Sequence, residues 1–451
     1  MSGMKSIKKG GLNRRVSLGL AGAKGGLGLL QAKVSGIFLP QEQKKAHAEE
    51  ALEREALKFV AHLGELKGAY VKIGQMLALY GEHILPKQVT DALHTLESST
   101  LPLDWEVIEP AIEDELGPDA TKLLAIERKA MAAASLSQVH RGSIGNEAIC
   151  FKIQYPGITD AIEDDFKNVI QMLSFAKWIK SGRQMEQLTK DLKEYLLKEV
   201  RYSYELMIAE EVSSLIDDNR YKVPKYFPEY SSDKILTMEY VNGFDVMDQE
   251  VQQLSQRRRN RLAEAMLELF FKEAFEWNLM QTDPNFGNYR VLIDQSGNEQ
   301  DRLVLLDFGA VHELTPAFSR YLKKTILAAQ DQNEASVIEG LIKLNCLSEN
   351  SSKLVQESFS RFCIYILEPF RKSFEDVPKY ALANEVYDWK HSRLLKRAGK
   401  LGSQQALLKG FQIPPPEFML MVRKLTGVFT FVAALGARTR SYPVLAKYQA
   451  D

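Results

Sequence analysis

An excess of charge of one sign is missing from this chain. Lysine and arginine total 58 and aspartate and glutamate 59 over 451 residues. A general nucleic-acid binder would carry a basic excess, so that class is set aside. Cysteine is scarce. Cys150, Cys346 and Cys363 lie far apart with no metal-ligand spacing, which suits a reduced, cytosol-like compartment. Uncharged apolar runs of transmembrane length are missing too. The best candidate, "FMLMVRKLTGVFTFVAALGA", carries Arg423 and Lys424 in its first half and reads as a core helix of the last domain. There is no internal repeat and no long low-complexity segment. What remains is an ordinary globular composition, 45% hydrophobic and 26% charged, with length for two or three lobes that each bury a core.

No acidic residue precedes Glu42, whereas Lys5, Lys8, Lys9, Arg14, Arg15, Lys24 and Lys33 do. Between them runs the small, apolar "VSLGLAGAKGGLGLLQAKVSGIFL". Three readings stay open. The arm touches anionic lipid, where each basic residue near the surface contributes roughly 1 kcal/mol; it is an organelle import sequence; or it is a disordered tail. Gly22 and Gly26 form a small-xxx-small pair, a weak pointer to helix packing at a membrane.

From Glu42 to about Gly81 the pattern is helical, with Leu63, Leu66, Tyr70, Ile73, Leu77 and Tyr80 at helix spacing. Pro86 interrupts it. "LPLDWEVIEPAIEDELG" predicts another helix, capped by Asp104 and stopped by Gly117. Then "SQVHRGSI" and "AICFKIQY" flank Gly145-Asn146, a hairpin signal. Helix resumes to about Asp218, "KILTMEYV" reads as a strand, and helices dominate from Gln252 onward.

Several segments carry chemistry. In "ICFK", Ile149, Phe151 and Ile153 alternate with Cys150 and Lys152. Alone, that lysine is an exposed edge residue. Before it, Ala132, Ala133, Ala134 and Ser135 form a small-residue turn whose N–H groups can approach phosphate oxygens. A plain helix is the duller reading of such alanines. In "KEVRYSYELMIAEE", read as one helix, Glu205 can reach Lys152 and orient its ammonium; otherwise it belongs to a solvated acidic face. "TMEYVNG" ends a strand whose Glu239 carbonyl and Val241 N–H can pair with adenine, with Met238 behind. The bland alternative is a buried strand and a turn. In "MQTDPNFGNYRVLIDQSGNEQDRLVLLDFGA", a hairpin returns Asp307 toward Asp283 and Asn288. Asn288 and Asp307 suit Mg²⁺, which takes hard oxygen ligands and few carboxylates. Asp283 is left to orient a nucleophile and accept its proton.

Each part has a dull explanation, but their order is that of a protein-kinase-like fold. The expected class is therefore α+β and bilobal, with an N-terminal helical extension and a mostly helical C-lobe. The divisions are a basic arm at 1–45, the extension at 46–125, an N-lobe at 126–245 and a C-lobe at 246–451.

The departures are specific. Gln281-Thr282 stand where His-Arg usually precedes the catalytic aspartate. After Asp-Phe-Gly the chain runs "AVHELTPAFSRYLKK" straight into a helix, with no Ala-Pro-Glu and little room for a peptide-docking activation loop. The sequence resembles the UbiB/ABC1/ADCK/COQ8 group of atypical kinases, and is most like its COQ8-like branch. The resemblance rests on "YVKIGQMLALYGEHILPKQVTDALHTL", "AAASLSQVHRG", "FKIQYPGI" and "QTDPNFGN…LLDFGA", and extends from about residue 50 to the end. The Lys-x-Gly-Gln signature, Lys72 to Gln75, is particular to that group; by spacing alone it is a polar helix edge.

The resemblance implies that the helical extension covers the nucleotide site and excludes peptide. It also implies ATP and Mg²⁺ as cofactors, slow ATP hydrolysis, weak or absent protein phosphorylation, a role in ubiquinone biosynthesis, and association with lipid. Quinone precursors, lipids and other quinone-biosynthesis enzymes are the implied partners, at a peripheral membrane site. Two positions depart from the group. Ser137 replaces a usual glycine, and Glu199-Val200-Arg201 replaces Glu-x-Asp, which meets the signature lysine in the group. A nucleotide-gated pseudokinase scaffold is the competing reading, and a conventional protein kinase a distant third.

Overall fold

The computed structural model describes residues 41–66, 68–81, 85–96, 102–179, 183–406, 408, 410 and 414–449. The basic arm up to residue 40, with Gly22 and Gly26, lies outside the described residues. The described residues form two compact units, one within Met1–Leu206 with Lys225–Tyr240 and one within Met207–Pro224 with Val241–Asp451.

The first unit opens with helices α1 (Gln41–Leu66) and α2 (Ala69–Tyr80). The single helix expected from Glu42 to Gly81 is thus two. Gly68 parts them with φ 61° and ψ −132°, a conformation that costs a residue with a Cβ far more than glycine. The 3–4 spacing survives the break: Leu63, Tyr70, Ile73 and Leu77 are all buried in one cluster with Val169, Leu173 and Leu196. Helix α3 (Lys87–Leu93) starts after Pro86. Helix α4 (Trp105–Leu123) follows Asp104, whose side chain makes no capping hydrogen bond, contrary to expectation. Gly117 leaves helical geometry at φ 80° and ψ 160° inside that span.

A four-stranded antiparallel sheet follows: β1 (Leu124–Ala133), β2 (Ser137–Ile144), β3 (Glu147–Gln154) and β4 (Ile235–Glu239), in that order. Strand β1 was not expected, and it takes in Ala132 and Ala133. The β2–β3 turn is the predicted Gly145-Asn146, with Gly145 at φ 57°. Ile149, Phe151 and Ile153 are buried on one face. Helices α5 (Ile158–Phe175), α6 (Arg183–Glu199) and α7 (Tyr202–Leu215) come next. The helix read through "KEVRYSYELM" is broken at Val200-Arg201, so Glu199 ends one helix and Glu205 begins the next.

In the second unit, α8 (Gln256–Phe271) runs into a π-helical turn, Lys272–Trp277. Strand β5 (Leu279–Gln281) then leads to the predicted hairpin, β6 (Tyr289–Leu292) and β7 (Arg302–Leu305). After Asp-Phe-Gly the chain does not enter a helix directly. Strand β8 (Val311–Glu313) first pairs with β5. Helices α9 (Pro316–Gln330), α10 (Glu334–Lys343), α11 (Lys353–Ile366), α12 (Leu394–Ala406) and α13 (Pro416–Ala434) complete the unit. Helix α13 is the predicted core helix, and among the described residues no helix is long and apolar enough to cross a membrane.

Candidate active site

Strand alternation decides what Lys152 faces. With the Ile149/Phe151/Ile153 face packed inward, Lys152 projects from the other, opposite Val139 on β2 and Leu236 on β4. Its ammonium donates to both oxygens of Glu205, at 3.0 and 2.8 Å, and lies 5.1 Å from the centre of the Tyr202 ring. Glu205 is only 1% exposed, and a buried carboxylate needs such a partner. Gln154, on the same face two residues along, helps to fix the arrangement. Its amide donates to the Val200 carbonyl at the α6–α7 break and its Oε1 accepts the Thr159 hydroxyl. This ties the lysine-bearing strand to the start of the glutamate-bearing helix.

The small-residue segment is placed differently from its prediction. Ala132 and Ala133 pair with Val139 and Gln138 as strand residues. Only Ala134 and buried Ser135 belong to the β1–β2 turn, which Ala134 closes by donating its N–H to the Ser137 carbonyl at 2.8 Å. Met238 is buried opposite Cys150, so it shares the Lys152 face. The Glu239 N–H donates to the Lys225 carbonyl at 2.7 Å, and the Cys150 thiol points at the Glu239 carbonyl from 4.0 Å. Burial and the Glu239 carboxylate push that thiol up to about 12. Val241 belongs to the second unit, where its carbonyl accepts the Gly243 N–H at 2.9 Å.

The Lys-x-Gly-Gln signature is resolved into separate jobs. Lys72 forms an ion pair with Glu199, while Arg201 is exposed. Gln75 donates to the Leu96 carbonyl at 3.3 Å. Gly74 packs so tightly that a Cβ there would meet Leu96 Cδ1 at 2.4 Å.

In the second unit, Leu306 donates its N–H to the Asn288 carbonyl at 3.0 Å, bringing Asp307 to the end of the hairpin where Asn288 sits. Asp307 Oδ1 accepts the Gly309 N–H at 2.9 Å. The Asn288 amide nitrogen donates to the Asp283 carbonyl and to Asp283 Oδ2, both at 3.1 Å. That bonding assigns the amide orientation and leaves Oδ1 as the Asn288 atom that could meet a cation. Among the described residues no group of three or more His, Cys, Asp or Glu is set to hold a metal alone. One carboxylate and one amide oxygen fit a magnesium ion whose other ligands are phosphate and water.

Sequence reading missed Arg423 and Lys424 as site residues. Arg423 Nη2 donates to Asp283 Oδ1 at 3.0 Å, so both oxygens of that carboxylate are engaged. Lys424 is fully buried and donates to Glu273 Oε1 at 3.0 Å and Tyr289 Oη at 2.9 Å. Burial opposes its charge most strongly, but the Glu273 carboxylate and the Tyr289 hydroxyl together outweigh burial and hold the ammonium well above its usual range. Gly427 lies against Pro284, where a Cβ would come within 1.9 Å of Pro284 Cβ. Helix α13 therefore carries the support for the loop bearing Asp283. The available signal was the adjacent pair of charges inside an apolar helix, since buried charges require partners.

A strand lysine paired to a helix glutamate, with an aspartate–asparagine–aspartate set at the end of a hairpin, defines a protein-kinase-like chain. Residues 95–341 match the ABC1 atypical kinase-like domain. The chain belongs to that family. It is 30% identical over 434 residues to atypical kinase COQ8B, mitochondrial, from Rattus norvegicus, covering 94% of this chain and 78% of the relative. It is 28% identical over 378 residues to atypical kinase COQ8, mitochondrial, from Saccharomyces cerevisiae, covering 83% and 72%. A solved structure of Rv3197 with erythromycin, from Mycobacterium tuberculosis, superposes with a TM-score of 0.60 at 22% identity, covering 90% of this chain and 97% of the other. That likeness supports the α+β kinase-like fold.

Proposed function

We propose that this protein is an Mg-ATP-dependent atypical kinase or ATPase that supports ubiquinone biosynthesis, acting on or near lipid intermediates rather than on protein. The observation that carries the reading is the Lys152–Glu205 pair, in which a nearly inaccessible carboxylate holds the strand ammonium through both oxygens. On this reading Lys152 engages the phosphates, the Ala134-Ser135 turn approaches them, and Glu239 and Val241 pair with the purine. Asn288 Oδ1 and Asp307 hold magnesium, which when bound neutralises phosphate charge. Lys72 and Glu199 anchor the signature helix. Asp283 positions the acceptor hydroxyl or water. The names of the COQ8 relatives support the quinone assignment and an organelle setting, and the basic arm supplies peripheral contact with anionic membrane.

The Arg423–Asp283 pair favours slow turnover. A carboxylate held by a guanidinium on one oxygen and an amide on the other has few lone pairs left for an incoming proton. The same contact gives the second reading its foothold, a nucleotide-gated scaffold that organises quinone-biosynthesis enzymes. Single-turnover assays with labelled ATP and Mg²⁺, with and without anionic vesicles, separate the two. The enzyme reading expects hydrolysis that Lys152→Ala and Asp307→Asn abolish, together with loss of quinone output in cells relying on either variant. Nucleotide binding without hydrolysis, with quinone output intact in both variants, overturns it.

A further inference from the structure

Helices α9, α11, α12 and α13 of the second unit enclose a cavity of about 230 Å³ that plays no part in the site described above. Its wall is almost wholly apolar: Ile326 from α9, Phe362 and Ile366 from α11, Met421 and Leu425 from α13. The volume exceeds the roughly 150 Å³ that admits a benzene ring and falls below the roughly 300–1,000 Å³ of drug-sized sites. One narrow hydrocarbon chain suits it. Cys363 also lines the cavity, but burial pushes its thiol up to about 12, so it offers no nucleophile there.

Helix α12 supplies both the fourth wall and the mouth. Leu395 and Ala398 face the cavity, and Ala398 is buried. Gly399 lines the cavity yet is exposed, and a Cβ built on it meets nothing within 4 Å. Gly399 is thus an exposed point on the cavity's rim, as is Thr426 on α13. Lys396 and Lys400, four residues apart, share a helix face that flanks Gly399. Both are exposed, and with Arg393 and His391 they line an adjoining open basic pocket. Arg397 in that pocket forks onto Glu368 at 2.5 and 3.1 Å. An apolar cavity thus lies beside a cluster of cations.

We propose that this cavity binds a single-chain anionic amphiphile, with its hydrocarbon chain among α9, α11 and α13 and its anionic head on Lys396 and Lys400 at the Gly399 mouth. Charge complementarity at the mouth selects the anion, and the small apolar interior selects one chain.

The test uses the full chain and dodecyl phosphate below its micellar concentration, with dodecyl maltoside as the neutral probe and inorganic phosphate as the chainless one. Calorimetric titration at low salt should show dodecyl phosphate binding at least tenfold more tightly than dodecyl maltoside, a ratio that shrinks as salt rises, and no measurable binding of inorganic phosphate. Gly399→Leu places a side chain in the mouth and should weaken dodecyl phosphate at least tenfold. It replaces a helical glycine, so its Tm should hold or rise, which separates blockage from misfolding. Lys396→Gln with Lys400→Gln should abolish the preference for the anion while leaving dodecyl maltoside unchanged. Equal affinity for the two amphiphiles in the wild type overturns the proposal. So does unaltered dodecyl phosphate binding in a folded Gly399→Leu protein.

Discussion

Replacing Lys424 by methionine removes one member of a fully buried ion pair and leaves the other in place. The ammonium lies 2.9 Å from Glu273 Oε2. At an effective dielectric constant of about 20, that separation corresponds to an attraction of about 6 kcal/mol. Desolvation of the two ions consumes several kcal/mol apiece, so the intact pair contributes little net stability. Removing only the cation strands the Glu273 carboxylate, 5% exposed, and should cost about 3–5 kcal/mol. Lys424→Met with Glu273→Leu removes both charges and should recover most of that loss. Tyr289 keeps a contact in either case, its hydroxyl lying 3.4 Å from Gln281 Oε1. Urea unfolding followed by tryptophan fluorescence reads the difference. Trp277 and Trp389 lie in the second unit, so exchanging Trp105 and Trp178 for phenylalanine confines the signal to it. A double variant as unstable as the single one, or a single variant within about 1 kcal/mol of wild type, would refute the stranded-charge argument.

Two further outcomes follow from close packing and buried titration. Gly427→Ala drives a methyl into Pro284; ATP turnover should fall at least tenfold with nucleotide affinity, measured by titration, changed less than twofold, and unchanged turnover would show that the loop yields freely. His140 is buried between the Gln138 amide (2.8 Å) and the Glu127 carbonyl (2.7 Å), and burial lowers its pKa. The unfolded chain then takes the proton first as pH drops through about 6.5, so stability present above that value is lost below it. Unfolding measured from pH 7 to pH 5 should show a decline that His140→Gln reduces; equal slopes in the two proteins would count against it.

The legible parts of the sequence were those in which neighbours along the chain are neighbours in space. The Gly145-Asn146 hairpin, the alternation around Lys152 and the return of Asp307 toward Asn288 all depend on period-two strands joined to their neighbours in sequence. The break at Gly68 was hidden because Leu63, Tyr70, Ile73 and Leu77 keep their 3–4 spacing across it, so periodicity alone does not register the kink. Strand β1 was missed because its "ERKAMAA" exposes most of its residues and offers neither strict alternation nor β-branched side chains. The partners of Arg423 and Lys424 lie 140 and 151 residues away. A helix face reveals that it is buried, but not what it meets.

The Asn288 side chain has a consequence beyond coordination. It grips Asp283 with a donor nitrogen, while its oxygen is turned elsewhere. Hydrolysis of that one amide to an acid would keep the shape almost unaltered yet set two anions face to face. Ordinary chemical ageing at a single position would thereby switch an attraction into a repulsion, so the loop's geometry depends on one nitrogen atom staying where it is.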